Sequence, residues 1–351
     1  MKSRWLQFLI AIIIGGVCLF LFARSVPNWG EVWSAILKAN YGLLAVAVLL
    51  GLSTIYIRAW RWRSFLGEPK VSSWTLFLIG GVGFMANGVL PARMGELIRP
   101  FLVSRMTPHK FAAALATIVV ERVFDLLLIL TLLAYSLWMF PLDPSAAADG
   151  SAPAFSVNDL GQVGAGVLVV LAAAVAVMSY APHWSIGIIR FFGRFLPHGL
   201  VDKLIQIVHS FEKGSSTFRR PRSFLYCTAI SLLLWLVIAF SELLVIWAFG
   251  VTHVDMNGAL LFMSALCFAV MFPQAPGYLG PYQIVAAMVL THSFGVDPST
   301  AGAIAITMWF TQVPPVIAMG LPCMTALNVS FHDLAHTGEQ IPQAEDDAKV
   351  E

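Results

Sequence analysis

Glu121, Arg122 and Asp125 stand inside a long apolar run, 111–140. Glu121 and Asp125 are four residues apart, so on a helix they share one face. Arg122 points about 100° round from Glu121. Such a set can do acid–base work, exchange protons, or close on itself as ion pairs. An ionisable group at mid-bilayer costs about 2.5–3.5 kcal/mol, so each one marks a polar pathway by default. The alternative is an internal ion-pair cluster that only fixes helix register. Glu242 is a single charge in the apolar run 223–249 and allows the same two readings.

A second set lies where the backbone is broken. Asn87, Gly88, Pro91, Gly95 and Pro100 surround Arg93, Glu96 and Arg99, which are spaced i, i+3, i+6. On a returning half-helix these three would stack on one face, with two arginines around one glutamate. The planar guanidinium fork matches a phosphate, so a phospholipid or polyprenyl-phosphate head group is the natural ligand. A snorkelling rim at the membrane surface is the plainer alternative. A third set, Pro273, Pro276, Gly277, Tyr278, Gly280, Pro281, Tyr282 and Gln283, has no charge. It offers carbonyls, an amide and hydroxyls, either as the low-charge half of a path or as a packed turn. The candidate head-group residues are therefore Asn87, Arg93, Glu96, Arg99, Glu121, Arg122, Asp125 and Glu242. The candidate hairpin backbone is Pro91, Gly95, Pro273, Pro276, Gly277, Tyr278 and Gly280.

The elements that hold these residues must be membrane helices. Of 351 residues, 58% are hydrophobic and 11% charged, against roughly 25% charged in a soluble domain. That excludes a disordered chain, a disulfide scaffold and an ordinary soluble enzyme. With 21 Lys and Arg against 19 Asp and Glu, there is no basic domain for nucleic acid. Cys18, Cys227, Cys267 and Cys323 are scattered and read as inert buried thiols. Spans are expected at 5–23, 39–57, 111–140, 160–181, 223–249 and 300–327. The runs 71–110 and 256–296 contain the broken backbone and are expected to be re-entrant hairpins.

Lys and Arg concentrate on the cytoplasmic side of membrane proteins. Arg58, Arg61 and Arg63, read as a linker after the second span, belong inside, and so do Arg93, Arg99, Arg105 and Lys110. Both hold only if 71–110 enters and returns. The loop 141–159 has no Lys or Arg and belongs outside; 182–222 holds seven and belongs inside. Arg24 and Lys38 are then the only basic residues in outer loops. The expected fold is an all-α polytopic membrane protein: about six full spans and two re-entrant hairpins in an inverted-topology repeat, with both termini cytoplasmic. The first repeat is 1–140, the external loop 141–159, the second repeat 160–327, and the acidic tail 328–351. The spacing of Pro91 to Gly95 and of Pro273 to Gly277 echoes across the two halves. A kinked ordinary bundle is the alternative.

The run Arg58–Arg63, the set Pro91, Arg93, Gly95, Glu96 and Arg99, the set Glu121, Arg122 and Asp125, and the turn Pro273, Pro276, Gly277 and Gly280 together resemble the lysylphosphatidylglycerol synthase transmembrane-region family. The resemblance covers about 5–327 and implies lipid translocation. Some members carry a soluble synthase domain. About 25 residues follow the last span here, so the translocase half is expected without the synthase. The chain is thus expected to be a flippase in the cytoplasmic membrane. Its partners would be lipids with an anionic head group and a separate lipid-modifying enzyme, with no cofactor. The alternatives are an intramembrane enzyme on lipid-linked phosphate or sugar, and a non-transporting partner of such an enzyme. Gly81, Gly83 and Ala86 match a dinucleotide-binding spacing, but no strand precedes them. His332 and His336 are best read as a solvated helix rather than a metal site.

Overall fold

The computed structural model describes residues 2–67, 71–90, 93–139, 187, 221–270, 276–331 and 333–334. All regular structure among them is helical. The expected loop 141–159, the span 160–181, nearly all of the loop 182–222, most of the tail, and Pro91, Pro273, His332 and His336 lie outside the described residues.

Helix α1, Lys2–Ser25, turns by 88° into α2, Trp29–Lys38, where a plain loop was expected. Asn28 starts α2 by accepting a hydrogen bond from the Gly30 amide, which satisfies one of the free donors of the first turn. Trp29, Trp33 and Leu37 recur every four residues on an exposed face, while Val32 is buried. This is the pattern of a helix lying at a membrane interface.

Helix α3, Tyr41–Leu66, corrects a second expectation. Arg58–Arg63 is not a linker after the span but the last two turns of the same helix. No Gly or Pro lies between Gly51 and Gly67, which caps the helix in the left-handed region at φ 68°. At 26 residues it is ~39 Å long, more than the ~30 Å hydrocarbon thickness. Helix α6, Phe111–Met139, and α7, Pro221–Ala248, are of similar length. Helix α7 packs along α3.

The run 71–110 contains α4, Ser73–Val89, and α5, Gly95–Met106. They are 17 and 12 residues long, or ~25 and ~18 Å, each short of the hydrocarbon thickness. Asn87 lies against Gly95, and Gly83 against Arg99, so the pair is antiparallel. A side chain on Gly95 would strike the Gly83 carbonyl and Asn87; only glycine permits this approach. The run 256–296 contains α8, Met256–Ala269, a short turn at Pro276–Tyr278, and α9, Pro281–Phe294. Gly258 meets Phe294, so this pair is antiparallel too. Helices α10, Pro298–Gln312, and α11, Pro314–Ala326, follow almost end to end. Helix α11 packs along α4, which seats the C-terminal part of the chain against the first helix pair.

Candidate functional site

Three long helices each present one row at helical spacing that carries the charged and polar groups. On α3 it is Thr54, Arg58, Arg61 and Phe65; on α7 it is Ser231, Trp235, Ile238 and Glu242; on α6 it is Glu121 and Asp125. Steps of three and four residues keep each row on one face. The rows converge with Arg99 of α5.

Glu121 is fully buried, and three guanidinium groups meet it. Arg61 lies 3.1 Å from Oε1, Arg122 2.6 Å from Oε1, and Arg99 3.1 Å from Oε2. Asp125, 3% exposed, takes both fork nitrogens of Arg61, at 2.5 and 3.0 Å. Arg122 reaches it at 3.4 Å and Arg58 at 4.0 Å, and the Trp235 indole N–H donates to it at 3.3 Å. Arg61 also donates to Ser231 Oγ, tying α3, α6 and α7 together. Aromatic faces complete the setting. Arg99 lies over Trp62 at 4.3 Å and Arg58 over Phe84 and Trp235, where the ring quadrupoles attract a cation. The Trp62 indole is held in turn by Thr117 Oγ1.

Two carboxylates thus face four arginines, an excess of two positive charges. Arg61 is spent internally: it is fully buried and bonded on both sides. Arg58 is not, since its Nη1 makes no hydrogen bond, and Arg122 keeps 37% of its side chain exposed. Arg58, Arg99 and Arg122, together with Arg93 and Glu96, line a cavity of about 300 Å³. Asn87, Trp235, Glu242, Tyr278, Tyr282 and Gln312 line the rest. Glu121 and Asp125 do not line it; they stand behind the arginines and aim them.

The two broken-backbone regions meet at this cavity. Arg93 precedes α5 in the left-handed region, at φ 52°, and its guanidinium donates to the Val270 carbonyl at the end of α8. It therefore does not stack with Glu96 and Arg99 on one helical face, because α5 begins only at Gly95. Gly277 and Tyr278 also have positive φ, 74° and 62°. The Trp309 indole donates to the Gly277 carbonyl at 2.5 Å, and Gly277 sits close to the Gly88 carbonyl. Pro276 opens the turn, and Gly280 closes it at φ 99°, its amide bonded to Gln283 Oε1.

Of the expected head-group residues, Asn87, Arg93, Glu96, Arg99, Arg122 and Glu242 line one cavity, while Glu121 and Asp125 support it. Sequence reasoning missed Arg58 and Arg61, which it assigned to a loop. The signal was there: 54, 58, 61 and 65 continue a helical row past the apolar stretch. Phe84, Trp235 and Gln312, which line the cavity, and Trp62, which packs on Arg99, were also missed, because nothing marks a lone aromatic or amide as belonging to a site. Among the described residues no cluster of three His, Cys, Asp or Glu could hold a metal ion.

Comparison with known proteins gives this geometry a family. The family model for the lysylphosphatidylglycerol synthase TM region matches residues 7–320. The chain belongs to that family. Two UPF0104 membrane proteins of Methanothermobacter thermautotrophicus are 25% and 23% identical to it. They are matched over 89% and 82% of this chain and 93% and 84% of their own length. A protein of Haloferax volcanii named glycosyltransferase AglD is 27% identical over 342 residues. That match takes in 91% of this chain, which spans only 55% of the relative. No solved structure matches. Family membership and the long apolar helices together make this a multi-pass membrane protein, helical in the regular structure of its described residues.

Proposed function

We propose that this member of the family is a lipid translocase of the cytoplasmic membrane, holding the anionic head group of a phospholipid or of a polyprenyl- or glycosyl-linked lipid. The observation that carries the reading is the cavity lined by Arg58, Arg93, Arg99 and Arg122 at the junction of two broken helix pairs. Four guanidinium groups against one lining glutamate on the same side, Glu96, favour a phosphate by charge and by fork geometry. The volume, about 300 Å³, is at the small end for ligand sites. It suits a head group with the acyl chains left in the bilayer. Irregular backbone at membrane depth, lining a cavity and related across two halves, is the plan of many transporters. The inverted repeat, with the short pairs as re-entrant hairpins and both termini inside, is part of this proposal.

The relative named glycosyltransferase keeps a second reading in view, an intramembrane enzyme on lipid-linked phosphate or sugar. The ion pairs weigh against Glu121 and Asp125 as its acid–base pair: both are committed to arginines and neither lines the cavity. Purified full-length protein in vesicles, given fluorescent phosphatidylglycerol, separates the two. Movement of the lipid between leaflets with its mass unchanged is the expected result. A change of lipid mass with no movement would overturn it in favour of the enzyme.

A further inference from the structure

The cavity is lined by a second glutamate besides Glu96. Glu242 of α7 is 5% exposed, and its Oε2 has no hydrogen-bond partner. The Tyr282 hydroxyl of α9 is likewise buried and unpartnered. Both residues line the cavity. No salt bridge to Glu242 occurs among the described residues, whereas Glu121 and Asp125 meet at least three guanidinium groups each.

The groups facing Glu242 can be taken element by element. Helix α3 brings Arg58, and α6 brings Arg122. The first helix pair brings Arg93, Glu96 and Arg99. Cys267 of α8 and Tyr282 of α9 line the same cavity, and Tyr278 stands at the turn between them. Helices α10 and α11 offer only uncharged groups. Gln312 donates to Ser241 Oγ, beside Glu242 in the chain, and so fixes the wall there. The charged groups that share the cavity with Glu242 are thus the arginines and Glu96, and α8, α9 and the turn between them add a thiol and hydroxyls.

We propose that Glu242 is a proton-binding site of the cavity, and that an anion on the arginines and a proton on Glu242 favour each other. The coupling is electrostatic. An anionic group seated on the arginines places a like charge in the same cavity as an ionised Glu242, and the neutral acid becomes the preferred form in so dry a site. Linkage makes the effect mutual: a proton on Glu242 removes a like charge and strengthens anion binding by the same factor. The proton comes from water and returns to it, so nothing else is consumed. The coupling rests on the head-group reading above; the proton site on Glu242 does not.

Infrared spectroscopy of the purified full-length protein tests both parts. The difference between wild type and Glu242→Gln should show the carbonyl band of a protonated carboxylic acid, decreasing as pH rises from 5 to 10. A band absent at every pH, or unchanged across the range, overturns the proton site. Addition of short-chain phosphatidylglycerol should move the half-loss of the band to higher pH, and Arg122→Ala should shrink that movement. A lipid that binds without moving it overturns the coupling. Failure of the lipid to bind at all counts instead against the head-group reading.

Discussion

At the scale of single residues, the network divides into supports and contacts. Arg61 is a support. It holds two buried carboxylates and touches no cavity, so Arg61→Ala leaves Glu121 and Asp125 short of a partner in a dry interior. Breaking a buried pair in this way costs about 3–5 kcal/mol. A large fall in the thermal midpoint of the detergent-purified protein should follow, with loss of transport as a consequence of unfolding. Arg122 is a contact. It keeps more than a third of its side chain exposed, and Glu121 and Asp125 retain Arg61 without it. Arg122→Ala should therefore cost less than Arg61→Ala, because its own charge is partly solvated. The same melting experiment distinguishes the two arginines. Equal losses would mean that the site has no separate supporting layer.

At the scale of elements, close backbone contacts set where the broken helices sit. Gly95 and Gly83 let α5 approach α4 so that Arg99 reaches Glu121. Gly95→Ala puts a methyl group against the Gly83 carbonyl and the Asn87 side chain. Overpacking of this kind costs about 1–3 kcal/mol. Gly16 of α1 has open space around it, so Gly16→Ala should be neutral or stabilising by up to about 1 kcal/mol through helix propensity. Thermal melts of the two variants should move in opposite directions or differ clearly. The breaks themselves were legible in the sequence, where Pro and Gly gather within a few residues, Pro91 to Gly95 and Pro276 to Gly280. What the breaks do with the chain was not. Arg93 looked like the first member of a helical row with Glu96 and Arg99. Only the start of α5 at Gly95 shows that it turns away to Val270. Arg58 and Arg61 were hidden for the opposite reason. A run of arginines and tryptophans has the composition of a cytoplasmic rim, and burial of those charges becomes tolerable only when Glu121 and Asp125 are placed beside them from another helix. That juxtaposition is tertiary and leaves no local mark.

At the scale of the whole molecule, the site depends on two pairs of short helices meeting, and so on how the chain is threaded through the bilayer. The proposed arrangement puts Lys38 and Thr252 outside and Lys110 inside. Single cysteines at these exposed positions, in a background lacking Cys18, Cys227, Cys267 and Cys323, give a direct check. In intact cells an impermeant maleimide should label Lys38→Cys and Thr252→Cys, while Lys110→Cys should react only after permeabilisation. Labelling of all three from outside would show that 71–110 crosses rather than returns, and would remove the inverted repeat. The membrane class and helical content were plain from the low charge content of the chain. The proposed orientation leans on some of the same arginines that form the site, which is why the sequence alone could not apportion them between the two roles.

The most direct measurement is leaflet-to-leaflet movement of fluorescent phosphatidylglycerol in vesicles containing wild-type protein, Arg93→Ala or Arg122→Ala, each checked for folding by its melting curve. Wild type should move the lipid well above protein-free vesicles. Both variants should remain folded and fall at least about tenfold, the equivalent of ~1.4 kcal/mol. Wild-type rates in both folded variants, or a wild-type rate equal to that of empty vesicles, would contradict a head-group path through the arginine-lined cavity.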